Sequence, residues 1–417
     1  MYFDFSFNNS IFYDESLFYF IYGTNLEFHN NKASDEFKLL ISANNVNVSN
    51  YSSYGMCLDI EGDNHTLNNI ACDGQYGATK SGGAHGAIIA DVSNSTIKNL
   101  DFFSYNFTTG NVEGIIAFSN IIQDTTITNI TVRDSITNGL DCQAITLTMS
   151  ASSPTLVLDK LQVRNISSTV SARGHAIATI AGTNVNITNS NFTDIDGYSA
   201  KYSFANGKRW NFINSIFNKS AIYYEGSTVT TSVYFTTGLN ITDASYTGIE
   251  DANIEIYNNN SILISEGITN SDGLVYFDIL EYNQTDDATY VEGCQGGNDA
   301  DLICQTPHNL SANKVGWSTN STIINASLTQ TINLILNIIS SDSCSCPGDA
   351  NNWEIDLEDN CDIQDVCDIG TGNITFINTG SVTFNNTITM NRFTIKDQGD
   401  SEKYYLGGEC KIYTEWI

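Results

Sequence analysis

The sequence predicts an all-β chain whose first half is a coil of stacked parallel strands, and three observations carry that prediction. Short β-branched segments recur at a spacing of about thirty residues, each passes through the same Asn-centred turn, and helical periodicity is missing throughout. The composition allows such a chain to fold. Hydrophobic residues make up 41% and aromatics 11%, enough for a sizeable core, so wholesale disorder is excluded.

The repeat is laid out by five segments: TLNNIACDG from Thr66, TIKNLDFFS from Thr96, TITNITVRDS from Thr126, LDKLQVRNIS from Leu158 and ITNSNFTDID from Ile187. A weaker copy, FINSIFNKS, begins at Phe212. Their shared turn position holds Asn69, Asn99, Asn129, Lys160, Asn189 and Asn214. A second strand precedes each copy, as GMCLDI from Gly55, GAIIAD from Gly86, GIIAFS from Gly114, QAITLT from Gln143 and HAIATI from His175. A two-strand unit buries little alone. Stacked on its neighbours, each strand bonds to its equivalent one turn later, and like side chains form columns. Asn suits the bend because it tolerates a left-handed backbone and can bond to the Asn of the next coil.

Residues from about 40 to 228 therefore resemble the right-handed parallel β-helix superfamily of pectate lyases, polygalacturonases and phage tailspikes, with the Asn column similar to that family's asparagine ladder. We assign residues 1–228 to this module. From about Thr230 the repeat stops, and some seven alternating strands follow with turn signals between them. Asp251-Ala-Asn-Ile-Glu-Ile256, the turn Thr269-Asn-Ser-Asp-Gly273 and the late stretch Asn309 to Gly316 resemble a carboxypeptidase-regulatory-like or transthyretin-like, Ig-like β-sandwich, expected over 229–341. Such domains are spacers or stalks. The remainder, 342–417, reads as a small Cys-containing β module that begins a further repeat. Together the three modules resemble large archaeal surface proteins that alternate β-helices and sandwiches.

Ten cysteines in clusters favour disulfides and an oxidising compartment. The candidates are Cys57, Cys72, Cys294, Cys304, Cys344, Cys346, Cys361 and Cys367. A zinc site of Cys344, Cys346, Cys361 and Cys367 is the competing reading, although these spacings are not paired CxxC motifs. Nineteen Asn-x-Ser/Thr sequons stand where residue frequencies alone give roughly ten, which suggests either glycosylation or solenoid turns. Asp4, Asp14 and Glu15 occupy the place of a basic export signal, and the apolar run Leu17 to Tyr22 is too short to span a bilayer. We therefore expect part of a longer exported chain, extracellular or at the cell surface, with no membrane span in this part.

With 17 basic against 47 acidic residues, the net charge of -30 repels a phosphate backbone, so nucleic acid is not an expected partner. One edge of the coil carries the candidate chemistry. His85, Glu113, Asp141, Arg173 and His175 fall at or within two positions of the same corner on successive coils. Ladders of this kind supply the acid, base or Ca²⁺ ligands of β-helix lyases and hydrolases. Charge on a solvated edge looks the same. Arg173-Gly-His175 is reminiscent of the Gly-His-Gly of polygalacturonases, but the paired Asp-Asp and Arg-Ile-Lys elements are absent, so no catalytic residue is assigned. Asp272 and the acidic run Glu354 to Asp368 offer oxygen ligands to Ca²⁺ without matching an EF-hand loop, and no cofactor or metal is assigned. Trp210, Tyr223 and Tyr224 could form a sugar platform or pack as core. The expected function is structural or adhesive, with glycans or other surface proteins as partners. A polysaccharide lyase or hydrolase comes second and a viral spike third.

Overall fold

The structure, a computed structural model, describes residues 5–12, 17–20, 24–36, 38–54, 57–74, 86–107, 114–121, 124–137, 142–150, 155–169, 173–203, 207–225, 228–285, 301–338, 343–377 and 381–395. The chain is all-β with long parallel sheets. One sheet stacks Thr24–His29, Asn44–Tyr54, Thr66–Asp73, Thr96–Phe103, Thr126–Thr137, Leu156–Ser168, Val185–Thr188 and Arg209–Ile213 in parallel. A second parallel sheet of nine strands runs from Leu17–Phe20 through Leu58–Asp63 and Cys142–Thr148 to Ile222–Glu225. The alternation seen in the sequence produces columns. Phe28, Val48, Leu67, Ile97, Ile127, Leu158, Ile187, Phe212 and Val233 lie on successive coils of the first sheet, each directly paired with the next and each buried. Each such side chain contributes roughly 1.5–3 kcal/mol by leaving water.

Coil length is not constant. Phe28 to Val48 and Val48 to Leu67 are steps of 20 and 19 residues, whereas Leu67 to Ile97 and Ile97 to Ile127 are each 30. Parallel pairing therefore reaches back to Phe5–Asn8, well before the first copy of the thirty-residue unit. The strands keep their register in short and long coils alike, because pairing constrains only the paired residues.

The bends follow from backbone chemistry. Asn30, Asn50, Asn69, Asn99, Asn129, Lys160, Asn189 and Asn214 all have φ between 51° and 57°, forming one left-handed column. Two more columns accompany it: Asn25, Asn45, Asn64, Asn94 and Asp124 at a second bend, and Ser104, Asp134, Asn165 and Asp194 at a third. Cys57, just ahead of one sheet, is bonded to Cys72 in the other with Cα atoms 5.8 Å apart, closing a coil across its interior.

The end of the coil has no linker. Thr230–Thr242 pairs in parallel with Arg209–Ile213 through its first half and with Gln330–Ile335 through its second, while Leu274–Thr285 runs antiparallel along nearly its whole length. This single strand belongs to both the coil and the module after it. Opposite it lies an antiparallel sheet of Leu263–Ile268, Asn253–Tyr257, His308–Asn313 and Asn320–Ile324. Leu239, Ile241, Ile254, Ile256, Ile279, Leu310 and Leu334 form the core between the two sheets, making a sandwich. Tyr282 and Leu302 instead join the core of the coil and close its open end.

The last module is a short parallel coil of its own. Trp353–Asp356 pairs with Asn373–Ile377, Cys361–Ile363 with Val382–Phe384, and Cys367–Asp368 with Ile388–Thr389. Cys344 is bonded to Cys361 and Cys346 to Cys367, with Cα separations of 5.1 and 5.6 Å. The two bridges fasten its entry segment to its first coil. So small a core, built around Trp353, Ile355 and Phe376, needs such staples.

Candidate functional site

The edge picked out by the sequence lies where the chain enters the nine-stranded sheet. His85, Glu113 and Asp141 fall outside the described residues. Gly114, next to Glu113, and Gly174, between Arg173 and His175, are explained by crowding: a Cβ on Gly114 would sit 2.5 Å from Thr146 Oγ1, and one on Gly174 2.4 Å from Asp196 Oδ1. Arg173 is exposed and its carbonyl accepts the Cys142 amide at 2.9 Å. His175, two residues on, is 1% exposed. Its Nδ1 accepts the Tyr198 amide at 3.3 Å, and its ring stacks on Tyr198 at 5.3 Å, which stacks in turn on Tyr223 at 4.9 Å. The imidazole is thus built into a column of rings, while Arg173 faces solvent.

The same stack decides the sugar-platform question. Trp210 and Tyr224 are buried at 1% and 3% exposure, and Tyr224 donates its hydroxyl hydrogen to Thr231 Oγ1 at 2.7 Å. Tyr223 is half-buried, but one of its faces is occupied by Tyr198. Pyranose stacking needs open ring faces, and in this column the stacking of His175, Tyr198 and Tyr223 occupies ring faces.

Several charged groups elsewhere on the coil are engaged in structural contacts. Arg133 donates through Nε and Nη2 to Asp101 at 3.1 and 2.9 Å, through Nη1 to Asp134 at 3.1 Å, and lies 4.5 Å over the Phe103 ring. The Asp101 hydrogen bond holds its proton more tightly than usual. Asp134 is held below the ordinary carboxylate range first by the amide of Asn165 and then by Arg133. At Asp159 burial opposes ionisation, but donors from Asn189, Thr188 and Thr128 outweigh it and also hold the carboxyl low. These aspartates are substitute rungs of the ladders.

The ladder itself runs through Asn50 Nδ2 to Asn30 Oδ1 and Asn69 Nδ2 to Asn50 Oδ1, both 2.9 Å, and Asn129 Nδ2 to Asn99 Oδ1 at 2.6 Å. Asn99 donates to Asn68, the neighbour of Asn69, at 2.8 Å. Lys160 interrupts the series, so Asn189 turns to Asp159 at 2.8 Å. Asn214 donates to Thr236 Oγ1 at 2.7 Å and accepts from the Thr236 amide and the Thr329 hydroxyl, tying the last bend into the sandwich.

Metal readings meet specific obstacles. The sulfurs of Cys344 and Cys361 lie with an Asp359 oxygen in one cluster, but both are bonded in a disulfide, as are Cys346 and Cys367, and a zinc tetrathiolate requires four free thiolates. Asp359 accepts from the Ser343 amide and hydroxyl at 2.9 and 2.7 Å. Asp272 is exposed in a turn whose amides are held by Asn270 Oδ1. Cys304 is disulfide-bonded, and Cys294 lies outside the described residues.

One pair escaped sequence reasoning. Lys219 Nζ meets Glu281 Oε2 at 2.5 Å at the junction of coil and sandwich, with Glu281 fully buried and the ammonium 5.0 Å over the Phe235 ring. Sixty-two positions separate the two residues, and no local pattern marks either.

No protein-family model matches the chain, and no curated protein matches it. Among solved structures, the Bacillus anthracis TIE protein aligns with 28% of this chain and 20% of its own length, at 10% identity and a TM-score of 0.20. The aligned part is a small fraction of that protein. Among the described residues no helix is long and apolar enough to cross a membrane.

Proposed function

We propose that this chain is a structural rod of an extracellular or cell-surface protein, a right-handed β-helix carried on a carboxypeptidase-regulatory-like sandwich, as in large archaeal surface proteins. Its task is to hold an adhesive surface toward glycans or neighbouring surface proteins. The observation that supports this best is the strand Thr230–Thr242, which is hydrogen-bonded into coil and sandwich at once. A linker transmits no torque, whereas a shared strand makes two modules move as one body. Three disulfides among the described residues accord with an oxidising location. Along the bend of the coil, amides are locked to one another from Asn30 through Asn50 to Asn69 and from Asn99 to Asn129, a surface suited to rigidity.

Small-angle scattering and negative-stain imaging test the rod, with one elongated particle expected and freely jointed modules counting against it. The competing reading, a lyase or hydrolase, is tested by incubating the protein with acidic polysaccharides and Ca²⁺ and following unsaturated ends and reducing sugar. No release is expected; release that vanishes in Asp141→Ala replaces the structural reading with the catalytic one.

A further inference from the structure

We infer that Asn309 carries an N-linked glycan that covers an apolar strip on the outer face of the sandwich. The inference rests on the reading of the chain as exported. In the antiparallel sheet Leu263 pairs with Tyr257, Tyr257 with Asn309, and Asn309 with Ile323, so these four side chains form one row across all four strands. Leu310 and Ile324, the next residue along on two of those strands, point the other way into the core. The row therefore faces outward, and Leu263 and Ile323 are 44% and 72% exposed there. Tyr257 lies along the sheet with its hydroxyl donating to Glu255 at 2.9 Å. On a surface otherwise rich in Asn, Ser and Thr, such a strip invites association unless something covers it.

Asn309 stands inside the strip and heads the sequon Asn309-Leu310-Ser311. It is exposed, and its side-chain amide has no hydrogen-bond partner among the described residues. Several sequon asparagines differ in this respect. Asn50, Asn129, Asn165, Asn240, Asn320 and Asn373 all spend Nδ2 on a structural hydrogen bond, which accounts for much of the sequon excess without any modification. Asn64 and Asn94 are exposed as well, but they stand at a polar bend of the coil.

The transfer is ordinary. Nδ2 of Asn309 bonds to C1 of a sugar carried on a polyprenyl phosphate, the C1–oxygen bond to phosphate breaks, the phosphate leaves with the electron pair, and the amide loses one proton. Because the strand is paired on both sides, transfer must precede closure of the sheet. The apolar face of the first sugars then rests on Tyr257 and Ile323.

The test is to secrete residues 1–417 from a eukaryotic line, release N-glycans enzymatically in ¹⁸O-water, and map peptides and disulfides by mass spectrometry. Labelled Asn309 in most molecules is the expected result. Asn309→Gln should then self-associate several-fold more by light scattering, and adding Ile323→Lys should restore the monomer. Native disulfides with Asn309 bare, or Asn309→Gln as monomeric as the parent, overturns the glycan alone. Reduced thiols at Cys344, Cys346, Cys361 and Cys367 overturn the exported reading and the glycan with it.

Discussion

Replacing Asn129 separates the two roles that the ladder asks of one residue. Its backbone sits at φ 56° and its Nδ2 donates to Asn99 Oδ1 at 2.6 Å. Asn129→Gly removes the hydrogen bond but keeps the bend, so the loss is about 1 kcal/mol, with up to about 0.5 more from the freedom glycine gains in the unfolded chain. Asn129→Ala removes the same hydrogen bond and forces an ordinary side chain into left-handed space at a further ~1–2 kcal/mol, for a total of about 2–3. Lys160 is the natural control. It holds φ 56° in the same column without the tolerance of Asn, and its ion pair with Asp159 is long, at 3.8 Å, and exposed. Lys160→Asn should therefore stabilise by about 1 kcal/mol. Urea unfolding followed by far-ultraviolet circular dichroism ranks the four proteins: Lys160→Asn, parent, Asn129→Gly, Asn129→Ala. Equal losses for Gly and Ala would show that the bend needs no left-handed residue, and an unstabilised Lys160→Asn would show that the rungs contribute nothing.

Three further outcomes are expected. Lys219→Met should cost about 3–5 kcal/mol because it removes the cation paired with the buried Glu281 side chain, and adding Glu281→Leu should recover most of it; a double mutant no better than the single would refute the pairing. His65 and His308 are each held below the ordinary histidine range, mainly by burial, so the unfolded chain takes up their protons first as pH falls below about 6.5. Stability is then complete above that pH and declines beneath it by up to about 1.4 kcal/mol per pH unit for each histidine, and His65→Ser should flatten the curve measured by urea unfolding between pH 7.5 and 5. Reducing the bridges Cys344–Cys361 and Cys346–Cys367, which span 17 and 21 residues, should remove about 3 kcal/mol each by chain entropy and expose the last module to protease before the rest.

What the sequence made legible is what strand stacking repeats with fixed chemistry. Asn69, Asn99 and Asn129 shared a column because only a few residue types tolerate that bend, and Leu67, Ile97 and Ile127 because only apolar side chains fill the interior. The coils between Phe5 and Tyr54 escaped a search at thirty residues because they take 19 to 21, and loop length is under no pressure from strand register. The third left-handed column escaped because Ser, Asp and Asn alternate in it, so identity is lost while conformation is kept. At the candidate edge the sequence placed Arg173 and His175 at one corner. It could not tell that Arg173 stands just ahead of the strand Gly174–Ala181 and is exposed, while His175 lies within that strand, buried against Tyr198.

The junction shows why a module boundary and a change of sequence pattern are different things. The thirty-residue pattern fades near Thr230, yet that residue opens a thirteen-residue strand that completes the coil before it builds the sandwich. Val233 fills the last place in the coil's inner column, while Leu239 and Ile241, on the same strand, fill the sandwich core. One alternating strand can serve two cores because alternation specifies only which face is buried, not what buries it. The Lys219–Glu281 pair and the bonds of Asn214 to Thr236 and Thr329 then set the angle between the modules. Neither module can be cut at 228 without exposing an inner face: the coil would lose Val233, Tyr282 and Leu302 from its end, and the sandwich fragment would leave the first half of its longest strand unpaired on one side.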